Sequence, residues 1–82
     1  MQQKWDWQGA RHEFETSLEI NPKDHRSHFN LGLLLAKQGQ IGRVVEELQT
    51  AVSLKPDDET AGYALRLALK IQRDLQSAQK AH

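Results

Sequence analysis

Two histidines three positions apart, His25 and His28, are the residues of this chain best spaced to hold a metal ion. On a helix they share a face, as paired imidazole ligands do, but no third ligand follows at helical spacing. His12 sits near Glu15 and Glu19, a grouping that reads as a solvated surface. Ser27 and Ser53 have no organised base beside them, and no glycine-rich phosphate loop is present. The chain has no cysteine, which removes disulfides, thiolate zinc sites and thiol nucleophiles. These residue types at these spacings do not build an active site. Neither an enzyme nor a bound metal or cofactor is expected.

Charge narrows the partners. Lysine plus arginine equals aspartate plus glutamate, 11 of each, and the balance holds in both halves of the chain. No stretch is basic enough to neutralise a phosphate backbone, so nucleic acid is not an expected partner. The longest strongly apolar run is Leu33-Leu34-Leu35-Ala36, far too short to span a bilayer. No signal core follows the N-terminal Met-Gln-Gln-Lys-Trp-Asp-Trp, so the default compartment is the cytoplasm. With 82 residues the chain forms one small domain, 1–82, with a thin core.

The elements that must position any site repeat. Pro22 and Pro56, the two prolines, lie 34 residues apart, and Ile20-Asn21-Pro22-Lys23-Asp24 returns as Leu54-Lys55-Pro56-Asp57-Asp58. The same offset pairs Ala10 with Val44, Phe14 with Leu48, Phe29 with Tyr63, Leu31 with Leu65 and Leu35 with Leu69. Apolar residues step by three and four throughout, the spacing of one helical face. Helices are expected over 7–21, from about His25 to Gln38, over 41–54 and over 59–80. Proline ends the first and third, because it disfavours helical geometry in the residue before it and donates no hydrogen bond. Asp24, and Asp57 or Asp58, are the expected caps of the second and fourth, and Gly39-Gln40 breaks the middle pair. Links this short make neighbouring helices antiparallel. The expected core is Leu31, Leu35, Leu48, Ala51, Leu54, Leu65 and Leu69, with the stripe of the last helix running on through Gln72, Leu75 and Ala78. Glu46, Glu47 and Lys55 read as the wet side of the third helix.

The pattern His28-x2-Leu31-Gly32-x2-Leu35, then Val44-x3-Leu48, then Pro56 resembles the tetratricopeptide repeat, with a partial copy ahead of it in Ala10-x3-Phe14 and Pro22. His28, Leu35 and Val44 stand where that family favours tryptophan, tyrosine and alanine. The resemblance implies an all-α fold of antiparallel hairpins in a right-handed superhelix. It would hold about one and a half repeats plus a C-terminal capping helix: the second helix of a partial repeat over 7–21, a complete repeat over 25–58 and the cap over 59–80. Gly32 lets its partner helix approach closely. The residue in phase with it, Arg66, keeps such a partner off and solvates the surface, as the end of an array requires.

The resemblance also implies the mode of action. The first helices of successive hairpins line a concave groove that holds a peptide or partner helix. On this chain the groove residues would be Arg26, Phe29, Asn30, Leu33, Ala36 and Lys37 from one helix, and Thr60, Tyr63, Ala64, Leu67 and Lys70 from the other. Phe29, Leu33, Tyr63 and Leu67 would form an apolar floor suited to an amphipathic segment, and Arg26, Lys37 and Lys70 a rim that favours acidic ligands. Phe29 and Tyr63 could instead pack between helices. Asn30 matches one position of a known carboxylate clamp, but Thr60 and Ala64 lack the cations that the clamp needs. The alternative to ligand binding is a structural role, as a homo-oligomer or as a fragment of a longer array whose upstream part covers the N-terminal face. Trp5, Trp7 and Phe14 would form an exposed aromatic edge through which a twofold homodimer closes.

Overall fold

The computed structural model describes residues 6–80. Four helices follow one another, α1 (Trp7–Ile20), α2 (His25–Lys37), α3 (Ile41–Leu54) and α4 (Glu59–Lys80), with no strand among the described residues.

Three helix starts are capped by aspartate, which satisfies amide groups that the helix itself leaves without partners. The carboxylate of Asp6 accepts from the Gly9 amide at 2.9 Å. Asp24 accepts from the Arg26 amide at 3.2 Å and from the Ser27 hydroxyl at 3.0 Å. Asp58 accepts from the amides of Thr60 and Ala61 at 3.1 and 3.3 Å. The proline turns are copies of each other. The Asp24 amide donates to the Asn21 carbonyl, and the Asp58 amide to the Lys55 carbonyl, each at 3.1 Å. Between α2 and α3 the chain turns at Gly39, whose φ of 77° is a left-handed conformation that side chains disfavour. The Gly39 amide donates to the Ala36 carbonyl and the Gln40 amide to the Leu35 carbonyl, the paired bonds that close a helix end on a left-handed glycine.

Each helix packs on its neighbours in sequence, α2 on α3 most extensively. The molecule measures 42 × 40 × 20 Å, so it is about two helices thick. The core is Leu31, Leu35, Val44, Val45, Leu48 and Ala68, with Leu31, Leu35 and Leu48 almost wholly buried. Gly32 lies at the tightest point of the α2–α3 packing. A methyl group built there would stand 3.2 Å from the Leu48 side chain and 3.5 Å from Cβ of Glu47.

Part of the expected core is not buried. Leu54 and Leu65 are half-buried, and Leu69 is 39% exposed. Leu69 occupies the same phase as Leu35, which is 0% exposed. The difference lies in the neighbour: α3 follows and covers Leu35, whereas among the described residues no helix follows α4. Leu75 and Ala78 are exposed for a related reason, since the long α4 runs on past the span that the 14-residue α3 covers.

Candidate interaction surface

The residues assigned to a groove come from α2 and α4, which both pack against α3. On α2, Arg26, Asn30, Leu33, Ala36 and Lys37 are exposed. They lie opposite the buried stripe of Ser27, Leu31, Leu34 and Leu35, as the 3.6-residue period requires. On α4, Thr60, Tyr63, Leu67 and Lys70 are exposed, opposite Ala61 and Ala68. Phe29 and Ala64 are half-buried and pack against one hydrophobic cluster, the feature that ties the two helices' faces together. Phe29 therefore serves as packing and keeps only an edge in water. Tyr63 is 58% exposed and so is not an interhelical packing residue.

Leu33, Tyr63 and Leu67 are large apolar side chains left in solvent. Ile71 and Leu75, each about half exposed, extend the α4 part of the stripe by one and two turns. They were not assigned to the groove from sequence, although the step of four from Leu67 through Ile71 to Leu75 carries the signal. The Arg66 guanidinium lies 6.0 Å from the centre of the Tyr63 ring, where the ring's electron-rich face attracts a cation. Arg26, Lys37 and Lys70 make no ion pair among the described residues, so the face presents uncompensated positive charge.

The His28 ring makes two polar contacts within the fold. Its Nδ1 lies 2.8 Å from a Glu47 carboxylate oxygen and its Nε2 lies 2.8 Å from the Pro22 carbonyl oxygen. Both partners are acceptors, so both contacts are hydrogen bonds at once only when the ring carries two protons. The Glu47 carboxylate also receives Arg43 at 3.6 Å. Glu47 is thus not on the wet side of α3. His28 draws it toward α2, and no helical-neighbour spacing signals the pair because the two residues are 19 positions apart. His28 ties α3 to the proline turn and does not pair with His25. No cluster of three or more metal-binding side chains occurs among the described residues. The Asp24 carboxyl is held below its ordinary pKa, first by the Ser27 hydroxyl. The Asp57 carboxyl is likewise lowered, first by its hydrogen bond from Lys55.

Of the aromatic edge, Trp5 and the side chain of Trp7 lie outside the described residues. Phe14 is half-buried and packs on the core of its own molecule. No described helix is long and apolar enough to cross a membrane.

A family model described as "Tetratricopeptide repeat" matches residues 13–46, from the middle of α1 to the first turns of α3. No curated protein gives a significant match. Repeats of this kind in general mediate protein–protein interaction.

Proposed function

We propose that this chain, whose residues 13–46 match the tetratricopeptide-repeat family model, acts as a binding module that holds an acidic, amphipathic segment of a partner protein across α2 and α4. The observation that carries this reading is the exposure of Leu33, Tyr63 and Leu67 on two helices that share one core. Large apolar side chains on an otherwise solvated face are an unfavourable contact with water that a partner relieves. Arg26, Lys37 and Lys70, which make no ion pair among the described residues, add attraction for carboxylates and speed encounter with an acidic ligand. A helix with leucines at steps of three and four and glutamates along its flanks matches both features.

The test is a titration of the isotope-labelled chain with a synthetic helical peptide of leucine and glutamate, followed by NMR. Amide shifts should move at Asn30, Leu33, Tyr63 and Leu67, and Lys70→Glu should weaken binding several-fold. Shifts confined to α1 or to the outer side of α3 would contradict the assignment.

A further inference from the structure

The 34-residue phase sets α1 on α3 and the first turns of α4 on α2. Helix α2 has α3 after it. Among the described residues α4 has no helix after it and α1 none before it. By that register α4 corresponds to the first helix of a hairpin and α1 to the second. We propose that copies of this chain assemble head to tail, α4 of one copy packing on α1 of the next, with Arg66 set against the partner's Glu13.

The complete hairpin shows what such a seam contains. At its tightest point Gly32 faces Leu48 and Glu47, and Leu35 beside it is fully buried. Carried forward by one period, Gly32 becomes Arg66 and Leu35 becomes Leu69. Carried back by one period, Glu47 becomes Glu13 and Leu48 becomes Phe14. The arginine thus appears where the facing helix brings a glutamate. Both charged residues are exposed, Leu69 is 39% exposed, and Phe14 keeps part of its surface in water. Arg66 prevents the close backbone approach that Gly32 permits. The joint is accordingly looser than the internal hairpin, with an ion pair and the contact of Leu69 with Phe14 in place of close packing.

Charge selects this arrangement over a twofold pairing of α1 with α1. Helix α1 carries Glu13, Glu15 and Glu19 against one arginine, Arg11, which already pairs with Glu15 at 3.1 Å. The stretch 66–73 of α4 carries Arg66, Lys70 and Arg73 and no acidic residue. Two copies of α1 would set acid against acid, whereas α4 on α1 sets base against acid. A contact between unlike faces leaves one face of each kind open after two copies join, so copies add beyond two, in a row or a ring, instead of stopping at a pair.

Sedimentation equilibrium of the 82-residue chain tests this. The average mass should rise steadily with concentration past that of two copies, and fall when salt is added. Arg66→Glu and Glu13→Arg should each remain folded by circular dichroism and each stay monomeric. An equimolar mixture of the two variants, or both changes in one chain, should associate again. A wild-type chain that is monomeric at millimolar concentration overturns the proposal. So does a plateau at two copies, association unmoved by either reversal, or a mixture that fails to recover. The groove reading is tested separately, because Glu13→Arg leaves the α2 and α4 groove residues untouched and should not change peptide binding.

Discussion

Single residues here divide by what stands across from them. Leu48 is 1% exposed at the centre of the core, and Leu48→Ala should lower stability by about 2–5 kcal/mol in denaturant unfolding, the range for large-to-small core changes. Gly32 sits against that same side chain. Gly32→Leu forces it aside and should destabilise by about 1–3 kcal/mol through overpacking. Gly62 faces only the end of Arg66, at 3.9 Å, so Gly62→Ala should instead gain up to about 1 kcal/mol of helix propensity. A thermal melt of the two glycine variants, moving in opposite directions, checks the packing at both places. The Gly32 contact was legible from its place in the repeat. The bridge from His28 to Glu47 and Pro22 was not, because it joins three elements through a ring whose partners no local spacing predicts.

At the scale of the helix, ends and neighbours decide. The Asp24 cap should be pH-sensitive. Its folded pKa is depressed, chiefly by Ser27, so its contribution is present above the ordinary carboxylate range and is lost as pH falls through the lowered value. Protection of the Arg26 amide, taken relative to its intrinsic exchange rate at the same pH, should fall on acidification, and Asp24→Ala should remove it at neutral pH. The contrast between Leu35 and Leu69 is a second test. Measured where the chain is monomeric, Leu35→Ala should cost about 2–5 kcal/mol, and Leu69→Ala no more than about 1 kcal/mol. Equal losses would mean that Leu69 is covered within one molecule. Periodicity marks both leucines as one face of a helix, and what separates them is which described helix packs across each.

For the whole molecule, the two proposed surfaces adjoin on α4 and share Lys70. The groove uses Leu33, Tyr63 and Leu67, and the head-to-tail joint uses Arg66, Leu69 and the face of α1 that carries Glu13. Their salt responses should differ. Contacts between exposed charges weaken as salt shortens the range of electrostatic attraction, whereas apolar burial persists. Raising salt should therefore reduce association between copies more steeply than it reduces binding of a leucine-rich peptide. Measuring peptide affinity and average mass at two salt concentrations checks this.

By itself the amino-acid sequence determined the helices and their order. Those follow from local causes: prolines at 22 and 56 that cannot continue a helix, aspartates that cap, Gly39 that accepts a left-handed turn, and apolar steps of three and four. The repeat also carried the identity of most core positions, because identical turns bring in-phase residues to similar places. Tertiary structure alone decided which in-phase residues are covered. Leu35 and Leu69, Gly32 and Arg66, Glu47 and Glu13 are pairs at equal register, and their burial differs because a residue's contact with water depends on the helix packed across it. That neighbour is a property of the assembled fold and of no local stretch of chain.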